Sequence, residues 1–245
     1  MPSPEQESLM ASLASKQEPR SAANNFTEPA RKTFAAGASE SAIVSVLSRG
    51  WNGLIDVAAA THHQSQGPLI DIVQAVQQEN ITEQEVASEC TIWGDKFKVW
   101  KDMPLFGPSM RETWNMAPGS GCRNGLSAEQ WCNLNAFAAR LTSVSESIPA
   151  FDFSLYAVWT LRTAFEGTEG PSSTDADAAK VWFLYAKDII ERLSWEEKTF
   201  HGKKAKGGEK YKDEEWRGFN PQRLEVWEAA LRSLSFDRDL LRPAP

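Results

Sequence analysis

The chain has 245 residues, of which 41% are hydrophobic and 24% are charged, and its formal net charge is −7. This composition fits a folded protein with a sizeable core. The acidic balance argues against nonspecific binding to nucleic acid or to an anionic membrane, because both need a basic surface. No apolar run approaches the roughly 20 residues that a membrane-spanning helix requires, and the first 20 residues lack the apolar region of a secretory signal.

Ten tryptophans are the most informative feature of the composition. Each indole ring buries about 150–250 Å² and still offers one N–H donor, so ten of them can fill a core, line a cavity or form a binding surface. The three cysteines, Cys90, Cys122 and Cys132, form no CxxC pair. We interpret them as free thiols in a reducing compartment, which predicts a cytoplasmic protein.

The first part of the chain divides into a polar lead and two helices. Residues 1–37 are rich in Ser, Ala, Pro and Glu and predict a disordered or loosely attached tail, although Ser3 and Pro4 could also begin a short helix. Apolar residues then recur at helical spacing from about 39 to 61. Gly50 and Gly53 lie inside this helix and suggest close packing there. Gly67-Pro68 begins the second helix, because proline suits the first helical position.

Residues 90–126 have no single periodicity. Tryptophans at 93, 100 and 114 alternate with prolines and glycines, which predicts short helical turns joined by loops. We find no strand-like alternation that persists along the chain.

The rest of the chain predicts four more helices and one charged segment. The helices begin near Ser127, near Asp152 or Ser154, at Thr174, and at Asn220-Pro221. Residues 196–217 carry charges of both signs and predict a charged surface excursion. We therefore expect an all-α protein, with a single irregular helical bundle domain over residues 38–240.

Four segments carry a resemblance to a known family. They are WCNLNAFAARLT (131–142), LYAVWTLRTAFE (155–166), AAKVWFLYA (178–186) and WGDKFKVWKDMPLFG (93–107). Together they resemble the fungal family catalogued as domain of unknown function 3632, over roughly residues 40–235. The resemblance implies a fungal, intracellular, all-helical protein, and it supplies no catalytic residues.

Sequence motifs for common chemistry are missing. The chain has no nucleophile elbow, no phosphate-binding or dinucleotide-binding glycine motif, and no doubled aspartate motif for magnesium. We expect no metal and no cofactor. His62 and His63 fall in the predicted last turn of the first helix, where His62 either binds terminal carbonyl groups or acts as a general acid or base.

Polar residues inside apolar helix stripes are the strongest sign of a site. Asn135, Arg162 and Tyr185 lie at inward-facing positions, and an unpaired buried amide costs about 1–3 kcal/mol. These side chains either form a network that locks the helices in register or point into an aromatic-lined pocket. The residues we predict to bind a ligand there are Trp93, Trp100, Trp131, Asn135, Trp159 and Trp182.

Three functions remain open. The first is a cofactor-independent enzyme that binds a small apolar fungal metabolite and promotes cyclisation, cycloaddition or dehydration. In it Arg162 or Tyr185 stabilises a developing negative charge and His62 transfers a proton. The second is a non-catalytic helical scaffold or protein-interaction module. The third is a stress or regulatory protein with a nuclear role. It rests only on Lys203, Lys204 and Lys206, which form a nuclear address, an anion contact or a solvated loop. The oligomeric state is not predicted.

Overall fold

The computed structural model describes residues 1–78 and 89–234, and most of these residues are helical. The all-α prediction is confirmed. The chain divides into two compact units, residues 1–127 and residues 128–245, whereas the sequence predicts a single domain over 38–240.

The first unit is organised around its longest helix. Its elements are α1 (Pro4–Ala14), α2 (Pro19–Ala35), α3 (Glu40–Ala60), α4 (Gly67–Gln77), β1 (Glu89–Ile92), β2 (Asp95–Lys98), α5 (Val99–Asp102) and α6 (Phe106–Trp114). Helices α1, α2 and α6 and strand β1 all pack against α3, and α4 packs against α2 and α5. The predicted helices at 39–61 and from Gly67-Pro68 are both present.

The predicted tail at residues 1–37 contains α1 and α2. The Ser3 side chain accepts a hydrogen bond from the backbone N–H of Gln6, and both helices have proline in their first turn. Ala22 and Ala23 of α2 are fully buried. The sequence suggested a tail because large apolar residues are sparse here: α1 is anchored by Leu9, and α2 by Phe26 and small alanines.

Two glycines of α3 let neighbouring helices approach it. A Cβ atom added to Gly53 would lie 3.1 Å from Ser3 Oγ and 3.3 Å from Gln6 Cβ, and one added to Gly50 would lie 3.7 Å from the Phe26 ring. The suggestion that Gly50 and Gly53 admit close packing is therefore correct, and α1 and α2 use the space.

A β-hairpin occupies part of the irregular segment. Strands β1 and β2 pair antiparallel, with Cys90 opposite Phe97 and Ile92 opposite Asp95. The expectation of helical turns and no strands was wrong at this place, because four-residue strands are too short for alternation to stand out in the sequence. Cys90 and Ile92 are buried and attach the hairpin to the first unit.

The second unit is built on a long central helix. Its helices are α7 (Ala128–Ser143), α8 (Ser154–Phe165), α9 (Ser173–Trp195) and α10 (Pro221–Ser233). Helices α7, α8 and α10 all pack against α9, which has a kink at Ala186. The side chain of Asn220 accepts a hydrogen bond from the backbone N–H of Arg223, so the predicted start at Asn220-Pro221 is correct.

The segment at 196–219 connects α9 to α10 and is attached to the unit by buried residues. Ala205, Trp216 and Phe219 are each 6% exposed or less. Thr199 forms an isolated antiparallel bridge with Gly218. Residues 196–217 were predicted as a charged surface excursion. Most of their charged side chains are exposed, but the backbone is attached by buried residues.

Candidate functional site

Asn135 lies at the junction of three helices of the second unit. Its amide nitrogen donates to the carbonyl oxygen of Trp131 (2.9 Å). Its side-chain oxygen accepts hydrogen bonds from Thr160 Oγ1 and Trp182 Nε1, both at 2.8 Å. Asn135 and Trp182 are both fully buried. The structure therefore brings these predicted ligand-binding residues together as a paired polar network that joins α7, α8 and α9.

Trp159 and Arg162 of α8 both bind the segment that follows α9. Trp159 Nε1 and Arg162 Nη1 donate to the same carbonyl oxygen, that of Lys204, at 2.8 and 3.2 Å. Burial and the nearby Arg223 charge lower the pKa of Arg162, while Glu166 acts in the opposite direction. Glu166, one helical turn beyond Arg162, forms its ion pair with Arg223.

The Glu166–Arg223 pair is the centre of the most buried polar cluster described in this unit. Arg223 donates to both carboxylate oxygens of Glu166, at 2.7 and 3.1 Å, and both side chains are fully buried. Trp227 Nε1 and the backbone N–H of Gly208 complete the cluster, at 2.8 and 2.7 Å. Sequence reasoning missed Arg223, although its spacing of four residues before Trp227 places it on the inward face of α10.

Tyr185, a predicted catalytic residue, packs against Arg140. The guanidinium carbon of Arg140 lies 3.7 Å from the centre of the Tyr185 ring, a cation–π contact between α7 and α9. Burial raises the pKa of the Tyr185 hydroxyl, and the Arg140 charge works in the opposite direction. Burial also raises the pKa of the nearby Cys132 thiol to about 12, so this cysteine is a poor nucleophile.

His62, the predicted proton-transfer residue, lies in the first unit after the end of α3. That helix ends at Ala60, and Thr61 is extended, so the predicted position of His62 in the last helical turn was wrong. The His62 side chain accepts a hydrogen bond from the backbone N–H of Gln64, and its ring stacks on His63 at 4.6 Å. The geometry gives His62 a local capping role.

Trp100 is buried beside a small cleft of the first unit. The cleft is lined by Glu5, Phe26, Thr27, Ala30, Val46, Leu47, Gly50, Trp51 and Trp100, and the space in it that a water-sized molecule could occupy measures about 10 Å³. Pockets for drug-sized ligands usually measure about 300–1,000 Å³. This cleft holds about one water molecule and is too small for a metabolite.

Trp93 is the predicted ligand-binding residue that faces solvent. It stands at the turn of the hairpin, its side chain is 74% exposed, and its φ is +51°. Its backbone N–H donates to the Glu40 carboxylate at 2.9 Å. Tight hairpin turns with positive φ favour Asn-Gly, and a bulky residue there costs about 1–2 kcal/mol. Trp93-Gly94 thus combines backbone strain with an exposed indole ring.

Two further residues with positive φ follow within twelve positions of Trp93. Met103 has φ +46° and Leu105 has φ +70°, and both are buried. Trp51 Nε1 donates to the carbonyl oxygen of Pro104, between them, at 2.8 Å. Packing and this hydrogen bond compensate the strain at Met103 and Leu105. The Trp93 side chain has no such burial, so its strain calls for another explanation.

Neither a metal site nor a membrane-spanning helix is found among the residues that the structure describes. Across residues 1–78 and 89–234, no group of three His, Cys, Asp or Glu side chains is placed to hold a metal ion. In the same residues, no helix has both the length and the apolar character needed to cross a membrane. The three cysteines are free thiols, and Cys122 is exposed.

Comparison with known proteins identifies a family but no function. Residues 51–231, more than half of the chain, match the family model described as protein of unknown function (DUF3632). No curated protein and no solved structure is similar enough to this chain to count as a match. The resemblance seen in the tryptophan-containing segments is therefore correct, and the chain belongs to the DUF3632 family.

Proposed function

We propose that this protein is a non-catalytic helical interaction module and that the hairpin turn at Trp93 is part of its binding surface. The observation that carries the proposal is the 74% exposure of Trp93 at a φ of +51°. An exposed ring adds little to folding, and the backbone conformation costs free energy. A residue that breaks the local rule without a gain in the fold is a candidate for function.

The surroundings of Trp93 resemble the polar rim of an interface. The outward-facing side chains of the hairpin form two cross-strand pairs, Glu89 with Lys98 and Thr91 with Lys96, and all four residues are exposed. Tryptophan is enriched among the residues that dominate binding energy, and such residues are usually surrounded by polar contacts. Trp93 and this rim together fit a partner protein that supplies an apolar pocket for one indole ring.

The metabolite cyclase stays a prediction, and the geometry supports it less well. Its predicted pocket needs Asn135 and Arg162 to face a substrate. Both donate to backbone carbonyl groups of the protein, so a substrate would have to replace existing hydrogen bonds at a cost of about 1–3 kcal/mol for each group left unpaired. The interaction module requires no such exchange.

The proposal is tested by cross-linking from the hairpin in the cells that produce the protein. A photoreactive amino acid replaces Lys96, which is exposed beside Trp93, and the cross-linked partner is identified and purified. We expect W93N to weaken binding of the purified partner at least tenfold, because it removes the anchoring ring. The matched control is W195N in the second unit, where Trp195 is 72% exposed, and it should change affinity less than twofold.

Two results would contradict the proposal. One is unchanged affinity of W93N for every partner that cross-links at position 96. The other is saturable quenching of tryptophan fluorescence by small apolar compounds that is abolished in a folded R162A variant. The second result would favour the cyclase. The hydrogen bonds described for Arg162 go to carbonyl groups of the protein, so a loss of quenching in R162A would mean that a ligand uses this side chain.

A further inference from the structure

A concentration of lysines on the second unit contrasts with the acidic chain. From Lys198 to Lys212 the sequence contains six lysines and one glutamate, while the whole chain has a net charge of −7. Five acidic residues flank this run, Glu196 and Glu197 before it and Asp213, Glu214 and Glu215 after it. Two of these lysines are paired: Lys198 binds Asp152 at 2.6 Å, and Lys212 binds Glu209 at 3.2 Å. None of the ion pairs among the described residues involves Lys203, Lys204 or Lys206. We call residues 203–206 the lysine loop.

The backbone of the lysine loop is fixed from inside the unit. Arg223 donates to the carbonyl oxygens of Ala205 and Lys206, at 2.8 and 3.1 Å. Trp159 Nε1 donates to the carbonyl oxygen of Lys204 at 2.8 Å. Three consecutive carbonyl groups are therefore bound by side chains of α8 and α10. This arrangement differs from a solvated loop, in which water would bind these groups.

The same arrangement sets which side chains of the loop are accessible. Ala205 is fully buried, whereas Lys203 and Lys204 are exposed and Lys206 is half-buried. The ammonium groups thus extend from a backbone that is already ordered. A ligand that binds them pays less ordering entropy than it would on a flexible loop.

We propose that the lysine loop binds a short acidic segment of a partner protein. Three lysines within four residues match a peptide that carries several carboxylates close together. The acidic remainder of the chain disfavours long polyanions such as nucleic acid, and it disfavours an anionic bilayer, because both would extend beyond the loop into repulsive potential. The loop is on the second unit, so this inference stands apart from the proposal for Trp93.

The test is a titration of the full-length protein with a fluorescent ten-residue polyglutamate peptide, followed by anisotropy. We expect saturable binding that weakens at least tenfold in the triple variant K203Q/K204Q/K206Q and that is strongly reduced by raising the salt concentration from about 50 to 500 mM. The matched control is K16Q/K32Q/K101Q, which removes the same charge from exposed positions of the first unit outside the Trp93 hairpin and should weaken binding less than twofold. Unfolding curves establish that both variants are folded.

Three results would overturn the inference. The first is the absence of saturable binding, and the second is an equal loss of affinity in the two triple variants. The third is that a ten-nucleotide oligonucleotide or anionic vesicles bind more tightly than the peptide. Equal loss in the two variants would mean that net charge alone controls binding. Each of these results leaves the W93N measurement unaffected, so the two proposals fail separately.

Discussion

The hairpin at 89–98 and the segment at 196–219 both interrupt helical structure, but they are fixed in different ways. In the segment, Arg223 and Trp159 bind the backbone from within, and the charged side chains point outward. In the hairpin, apolar side chains such as Ile92 are buried, and the turn exposes Trp93. The contrast teaches that the buried polar groups of this protein fix its backbone, whereas the exposed aromatic group is the better candidate for recognition.

The largest effect should come from removing the cation beneath the segment at 196–219. R223M leaves the Glu166 carboxylate buried without its ion-pair partner and releases the carbonyl oxygens of Ala205, Lys206 and Gly218. Breaking one side of a buried ion pair typically costs about 3–5 kcal/mol. We expect a loss of that size in urea unfolding, together with faster proteolysis between residues 200 and 215.

A matched control for R223M is available on the same helix. Arg232 forms an exposed ion pair with Glu228 on α10 at 3.6 Å, so R232A should change the unfolding free energy by less than about 0.5 kcal/mol. If R223M proved as mild as R232A, the segment would not depend on its internal donors, and the contrast with the hairpin would be lost.

A smaller effect should follow from replacing Asn135. N135A leaves Trp182 Nε1 and Thr160 Oγ1 without their acceptor, and unsatisfied buried groups cost about 1–3 kcal/mol. Urea unfolding measures this loss. The comparison variant T160V removes one donor and leaves Asn135 with Trp182, so its cost should be less. If N135A had a higher unfolding free energy than wild type, as expected when a polar residue is kept for a substrate, the structural role of Asn135 would be contradicted.

Glu5 provides a pH-dependent test in the first unit. Burial acts to raise the pKa of Glu5, but hydrogen bonds and charge from Arg49 bring it below the ordinary 4.5. A carboxyl group with a lowered pKa stabilises the fold above its unfolded pKa, and this stabilisation is lost as the pH falls through the folded pKa. Wild type should therefore exceed E5Q in unfolding free energy by about 1 kcal/mol at pH 7, since Arg49 is half-exposed. The difference should shrink as the pH falls below 4.5. A difference independent of pH would show that the charge of Glu5 does not stabilise the fold.

Much of the helical fold follows from local signals in the sequence. Ser39 and Asn220-Pro221 mark helix starts that the structure contains, because capping side chains and N-terminal proline act within one turn. In residues 1–37 the same kind of signal marks the start of α1 at Ser3-Pro4, but no local signal indicates that α1 and α2 are packed against other helices. Their stability depends on small residues such as Ala22 and Ala23 fitting against α3 and α4, which is a tertiary effect.

The site is harder to predict because sequence does not reveal the partner of a polar group. Asn135 and Arg162 were correctly recognised as unusual in apolar stripes, but the stripe is the same whether the partner is a ligand or a carbonyl group. Arg223, next to the apolar Leu224 of the same helix, was not recognised as a buried site residue. The positive φ of Trp93 also has no direct signature, although Trp-Gly between short apolar stretches is compatible with a two-residue hairpin turn.

The central claim is that Trp93 is retained at the turn despite its cost to the fold, and the unfolding free energies of W93N and W93A test it directly. Asparagine tolerates positive φ, so W93N should stabilise the first unit by about 1 kcal/mol. Alanine removes the ring and keeps the strain, so W93A should lie within about 0.5 kcal/mol of wild type. Destabilisation of both variants by 1 kcal/mol or more would show that the indole ring supports the fold and would contradict the account.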